Sequence, residues 1–302
     1  MGADLSLRPN ADRHIATPAV TNATNAVGPF PVAVDDVGTW GRWSRTDVVR
    51  RFLLRLLAIG VLTAIWWFVT WRKVWDPTLV PSPQAVWHAL VLTSTGDGYA
   101  GVTLAHHLLV SLRRILIGSG LAVLIGVPVG LLIGGIAPIR IIFEPFVTFL
   151  RTLPPLAYFS LLILWFGIDE APKVWLLFIA AVAPIAATTA AAVHGVTPAL
   201  LEVGRTLGAS RLRLVRDVTL PAALPEILTG IRVAVAVAYT SLVAAETVNG
   251  TPGIGGMIRD AQRYLRSDVV VLGILVLGGS GLLLDAVLRL LERRLAPWRG
   301  LV

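Results

Sequence analysis

Residues Thr197 to Pro225 read TPALLEVGRTLGASRLRLVRDVTLPAALP, the longest polar interruption between apolar runs in the second half of the chain. Thr197 followed by Pro198 is the signature of an N-cap with proline at the first helical position, where its missing N–H costs nothing. Leu200, Leu201, Val203 and Leu207 then fall on one broad apolar side and Glu202 and Arg205 on a polar side. Gly208 stands where a helix C-cap glycine belongs. Ser210 is placed to cap a second short helix, Arg211 to Asp217, after which Leu220-Pro221 and Pro225 are expected to interrupt regular structure. The pattern predicts a compact helix, turn and helix held at a membrane surface.

A membrane follows from composition. Hydrophobic residues make up 55% of the chain and charged residues only 15%, with a mean hydropathy of +0.75, far from a soluble domain. The net charge of +8 comes almost wholly from arginine, and in such a chain it records which loops stay inside. Aromatic and basic residues are not interleaved as a nucleic-acid groove needs, so no nucleic-acid partner is expected. The chain has no cysteine, which excludes disulfides, thiolate-held metals and thiol chemistry.

Residues 1–47 are a polar tail rich in Ala, Thr, Asn and Pro, a composition that predicts disorder. No secretory signal is expected, because the first apolar run begins only after Arg50 and Arg51 and is too long for a signal core. Residues 48–302 are read as one all-α, polytopic transmembrane bundle of six spans. The first is Phe52 to Trp71, with Trp66, Trp67 and Trp71 as an interfacial belt. The second, Leu108 to Gly134, carries Gly118, Gly120, Gly126 and Gly130 for close helix approach. The third, Ile141 to Trp165, is broken by Leu153-Pro154-Pro155, which is tolerated where a cavity or a neighbour satisfies the freed carbonyls. Val174 to Val193, Ile227 to Thr247 and Val269 to Leu291 complete the set, and Arg72 to His107 reads as an external loop. Six spans put both termini in the cytoplasm. The arginines agree: Arg42, Arg45, Arg50 and Arg51 precede the first span, Arg205, Arg211, Arg213 and Arg216 lie in the central stretch, and Arg293, Arg294 and Arg299 close the chain.

Glu202, Gly208 six residues on, then Val218, Leu220 and Pro221 resemble the loop of bacterial ABC importer permeases that reads E-A-A, three residues, G, nine residues, I, any residue, L-P. Val203-Gly204 replaces the two alanines and Val218 the isoleucine, with small or apolar character kept. The likeness extends over roughly residues 50 to 300. It takes in Pro81-Ser-Pro83, Leu153 to Leu156, Trp165 to Ile168, Ala244-Ala-Glu246 and Arg293 to Trp298. These resemble the nitrate, sulfonate and taurine importer permeases, the taurine type most. The resemblance implies a type I ABC importer permease fold in the bacterial inner membrane. It further implies two copies of the chain, two cytoplasmic ATPase subunits and a periplasmic or lipid-anchored binding protein. The stretch 197–225 becomes a coupling loop, with Glu202, Val203, Gly204, Arg205, Leu207, Gly208, Ala209, Leu220 and Pro221 as the coupling residues. ATP and Mg are expected on the ATPase. This chain lacks the phosphate-loop pattern and has only Lys73 and Lys173.

Ionisable groups at membrane depth are the remaining candidates, because function or pairing must offset their burial. Arg113, Arg114, Glu144, Arg151, Arg232, Glu246 and Asp285 qualify. Glu144 and Arg151, seven apart, and Glu246 are read as interhelical ion-pair partners. The sharper alternative lines a path for an anion with one or two cations, Arg151 first. Pro154, Pro155, Glu246, Gly253 and Gly255 are further pathway or gate candidates, with Thr247 to Ile258 read as a flexible re-entrant gate. His106 and His107 are adjacent, so their rings diverge on a helix, and no metal site is expected. An enzyme would show a clustered nucleophile, acid and base, and an ATP-independent carrier would show paired broken helices in two halves; neither pattern occurs.

Overall fold

The computed structural model describes residues 45–96, 98–248 and 252–298. The expected tail lies outside these residues, except that helix α1, Arg45–Trp71, begins inside it. The chain divides after Gly60 into two compact units, and the packing described below belongs to the unit from Val61 onward. There the regular structure is helical: α2 (Pro83–Ser94), α3 (Leu104–Gly135), α4 (Ala137–Thr152), α5 (Pro155–Phe166), α6 (Glu170–His194), α7 (Pro198–Thr206) and the single turn α8 (Arg211–Arg213). A π-helical segment, Leu214–Thr219, then leads into α9 (Leu220–Val248), α10 (Ile254–Arg263) and α11 (Ser267–Leu295). The supposed external loop therefore holds a helix, α2, which Ser82 caps by accepting from Ala85 N–H. Its last residues are already the first turn of α3, capped by Thr103.

Five helices are long and apolar enough to cross a membrane, and the bent pair α4–α5 makes a sixth if counted as one. Glycines on α3 settle how that pair runs. Gly118 lies against Leu177 of α6, Gly126 against Ile185, Gly130 against Thr189 and Gly134 against Val193, a constant offset that makes the two helices parallel. Two parallel helices that follow one another need the intervening chain to return across the membrane. Residues 136–169 therefore cross it as a broken span. The 16 residues of α4 and the 12 of α5 meet at 95°. Leu153 closes α4, and Pro154 and Pro155 supply no backbone donor to continue it. Gly120 has open space around it and takes no part in the stripe expected of it.

Opposite the glycines, Leu109, Leu116, Leu124 and Leu132 of α3 are exposed about every two turns, an outward apolar face suited to lipid. The core follows α6: Ile115, Leu177, Ala181 and Ile185 pack against Ala234, Val235, Ala238 and Leu242 of α9. Ala192 and Val196 meet Ala223 and Ile227 one level on. α9 therefore runs antiparallel to α6. α11 turns back along α9, where the Tyr239 hydroxyl donates to Leu277 O at 2.8 Å and Arg232 pairs with Glu292 at 3.0 Å.

Pro221 and Pro225 do not interrupt regular structure as expected; the helical path is continuous from Arg211 to Val248. In α geometry the Pro221 ring would press on the carbonyl one turn back. The π segment opens that turn, with Leu220 N–H reaching Val215 O and the Thr219 hydroxyl donating to Leu214 O. Pro225 leaves the Pro221 carbonyl without its helical donor, and Trp298 Nε1–H fills the vacancy at 3.1 Å. The end of the described chain is thereby pinned beside the central stretch.

A Cβ at position 130 would stand 2.5 Å from Thr189 Cβ and 2.6 Å from Ala186 O. Gly130→Val should part α3 from α6 and cost about 1 to 3 kcal/mol, whereas Gly120→Ala, with nothing within 4 Å, should be neutral. Thermal unfolding of the two variants in detergent checks this; equal midpoints would remove the glycine stripe as the determinant of the pairing.

Candidate functional site

The central stretch is built as a rigid hairpin. Gly208, at φ +77°, ends α7, its N–H donating to Arg205 O at 2.9 Å while Ala209 N–H donates to Gly204 O at 3.0 Å. This pair of bonds is the Schellman arrangement, which needs a left-handed residue at Gly208's position. Ser210 caps the next turn by accepting from Arg213 N–H. Thr197 precedes α7 as expected, yet its side chain makes no capping bond. Gly204 is buried, and a Cβ there would meet Leu214 Cδ1 at 2.6 Å. A small residue suits that point because α7 lies against the π segment, and a larger one would have to displace the Leu214 side chain.

The apolar side foreseen for α7 faces outward. Val203 is 56% exposed, Leu207 81% and Leu212 77%, and Glu202, Arg205, Arg211, Arg213 and Arg216 surround them in the open. Only Leu201 packs inward, at the edge of the Ala192 and Ile227 cluster. Leu220 is half-buried at the start of α9, and the Pro221 carbonyl is committed to Trp298. An apolar knob ringed by one carboxylate and several guanidinium groups is a surface for a partner protein with an apolar cleft and acidic rim.

A second constellation lies at the other end of the helices. His107, Ser111 and Arg114 share one face of α3, spaced four and three residues apart. Glu246, on α9, is 0% exposed. Its carboxylate accepts from Arg114 Nη1 at 2.6 Å, Ser111 Oγ at 2.8 Å and Gly255 N–H at 2.8 Å. Arg114 also forks onto Glu170 of α6, Nε to Oε2 at 2.7 Å and Nη2 to Oε1 at 2.5 Å, and Lys173 Nζ lies 3.5 Å from Glu170. Ile254 N–H donates to Ser111 Oγ at 3.0 Å and Gly253 N–H to His107 Nδ1 at 3.1 Å. At the start of α10 one amide, that of Gly255, thus meets the Glu246 carboxylate directly and that of Ile254 meets the Ser111 hydroxyl that donates to it, the end of a helix that favours an anion. A Cβ at Gly253 would fall 2.6 Å from Arg114 Nη1 and from Glu246 Cδ, so only glycine lets the backbone approach.

This geometry corrects the expectation of a flexible gate. Gly253 and Gly255 are buried and tied by their amides, and Glu246 is enclosed in an ion pair rather than set along an open path; residues 249–251 lie outside the described ones. The interhelical ion pair expected of Glu246 is present; that Arg114 is its partner and that Ser111 joins it went unforeseen. The available signal was polar side chains at i, i+4 and i+7 in an otherwise apolar helix.

Arg151 stands differently. It lines a cleft of about 290 Å³ between α4 and α6 with Arg140, Glu144, Thr148 and His194. The interhelical ion pairs expected of Glu144 and Arg151 do not form among the described residues: the wall of α6 that faces them is alanine as far as His194. Arg140 Nη1 instead contacts His194 Nδ1 at 2.8 Å. Pro154 and Pro155 mark the break just beyond Arg151.

Residues 123–297 match the family described as binding-protein-dependent transport system inner membrane component. The chain is 40% identical over 259 residues to the taurine transport system permease protein of Escherichia coli (strain K12), covering 86% of this chain and 94% of that one. It is 30% identical over 249 residues to the nitrate import permease protein of Leptolyngbya laminosa, covering 82% and 89%. A crystal structure of an amino acid ABC transporter with histidines superposes with a TM-score of 0.54 over 62% of this chain and 92% of the other, at 22% identity, a likeness of fold.

If the Arg114–Glu246 pair holds α3, α9 and α10 together, removing one partner strands a buried charge. Glu246→Leu or Arg114→Leu alone should cost about 3 kcal/mol, and the double variant less than the two combined. A double-mutant cycle on thermal stability in detergent measures this; additive losses would show that the two side chains act independently.

Proposed function

Because the chain belongs to the family of binding-protein-dependent transport system inner membrane components, we propose that it forms the translocation path of an ATP-driven importer for taurine or another short alkyl sulfonate. As a member of that family it is a non-catalytic, multi-pass inner-membrane permease subunit. On this reading an external binding protein delivers the anion, and two copies of the chain pair with two cytoplasmic ATPases that bind ATP and Mg. Both termini and residues 197–225 face the cytoplasm. Nitrate is the second cargo, favoured by the name of the Leptolyngbya laminosa relative.

The observation that carries the proposal is the hairpin of α7. It presents Val203, Leu207 and Leu212 to solvent while Gly204 and Leu214 lock it to the helix that continues into α9. A partner gripping the knob moves α9 with it. Arg151 supplies the cation along the path, since its guanidinium has no protein partner among the described residues and matches a sulfonate in charge and geometry. The break at Pro154 and Pro155 lets α4 and α5 reorient without breaking helical hydrogen bonds.

Gly208→Val is strained by the backbone alone, about 1 to 2 kcal/mol, because nothing lies within 4 Å of a Cβ there. Gly208→Val and Glu202→Lys should leave the chain inserted at normal abundance yet loosen the ATPase and abolish substrate-stimulated hydrolysis. Co-purification with the ATPase, with the mass of the complex measured, decides. Undiminished binding with normal stimulated hydrolysis would remove the coupling role, and a mass equal to a single chain with a single ATPase would remove the paired assembly.

Arg151→Gln should lower sulfonate uptake by about tenfold or more through loss of a charge-assisted contact, with protein level and ATPase binding unchanged. Wild-type uptake of labelled taurine by cells carrying this variant would take Arg151 off the path.

A further inference from the structure

We propose that the α4–α6 cleft binds a short zwitterion, its anionic head on Arg151 and its ammonium group on Glu144, so that Glu144 selects an amino-sulfonate over a simple anion. The proposal rests on the reading of Arg151 as a pathway cation and adds the chemistry of what passes it. Arg140, Glu144, Thr148 and Arg151 line the cleft from one face of α4, and four alanines of α6 form the opposite wall before His194. The small alanine side chains leave the volume of about 290 Å³.

Glu144 and Arg140 have the i,i+4 spacing at which an ion pair normally closes. It does not close here: Arg140 Nη1 is turned onto His194 Nδ1 at 2.8 Å. Glu144 and Arg151 make no ion pair or hydrogen bond among the described residues. One cleft therefore holds a carboxylate and a guanidinium that face the same space without neutralising each other.

A site meant for a bare anion gains from the two arginines and loses from Glu144, since like charges repel. A ligand with both charges uses both groups. Its sulfonate takes the planar fork of Arg151, and its ammonium satisfies Glu144, which a ligand lacking the amine leaves unpaired as the cleft fills. An inorganic anion has a charge for only one of the two groups.

The full chain in lipid nanodiscs is titrated with labelled taurine and with labelled ethanesulfonate, which lacks only the amine. Glu144→Gln, an isosteric change at an exposed and unpaired position, should keep the thermal midpoint. It should weaken taurine binding about tenfold while ethanesulfonate binds equally well or better; Arg151→Gln should weaken both. An unchanged taurine-to-ethanesulfonate ratio in Glu144→Gln overturns the selection, and a wild-type chain that binds neither ligand overturns the site. Uptake by Arg151→Gln reads the path itself, so lost uptake with an unchanged ratio sinks only this inference.

Discussion

A backbone carbonyl or a charge left without a partner in hydrocarbon costs several kcal/mol, and the prolines of the long helices and the buried Glu246 are arranged around that cost. Pro225 strips a donor from Pro221, and the indole of Trp298 replaces it. Pro221 would crowd the turn behind it, and the π segment widens to let its ring in. Glu246 meets three donors from three places, Arg114, Ser111 and the Gly255 amide. Where no replacement exists, at Pro154 and Pro155, the helix stops and restarts at 95°.

These compensations set which parts can move. The Arg114–Glu246 cluster ties α3, α6, α9 and α10 at one end through a buried ion pair and a half-exposed one to Glu170, and the parallel glycine contacts tie α3 to α6 along their length. That block is stiff. The α4–α5 corner has neither buried residues on α4 nor hydrogen bonds continuing through the break. On the proposed function the block is the frame and the corner its adjustable wall, with the cleft of Arg151 between α4 and α6.

Much of this was legible in the sequence because it is a matter of length and spacing. Spans of about twenty apolar residues, the proline pair, and Gly208 after a nine-residue amphipathic helix each report a local constraint. The continuity of residues 211–248 was not legible, because Pro221 and Pro225 are helix breakers on local grounds, and the donor that rescues them sits at Trp298. The glycines of Thr247 to Ile258 misled for the same reason. Glycine reports that backbone comes close to something; only the fold tells that the something is Glu246 and Arg114. Glu144 and Arg151 failed in the other direction: a charge on a membrane helix asks for a partner on a neighbouring one, but the facing wall of α6 is alanine and its His194 is taken by Arg140.

Stiffness at the loop has a consequence for how force is passed on. A hinge between α7 and α9 would absorb movement of the knob locally, and the chain has removed it. The Schellman bonds at Gly208, the cap at Ser210 and the Gly204–Leu214 contact fix α7 on the π segment, and no residue between Arg211 and Val248 leaves the helix. Movement of Leu207 must therefore travel along α9 as rotation or translation of the whole rod. α9 is held by α6 through Leu177, Ile185, Val235 and Leu242 set among small residues, with Gly230 seated on Thr188, an interlocked interface that resists sliding. The far end of α9 is anchored by Glu246 to α10. On the proposed function, a rod gripped at the knob, interlocked with α6 along its middle and pinned at Glu246 carries a movement of Leu207 to α6 and α10 together rather than absorbing it at the loop.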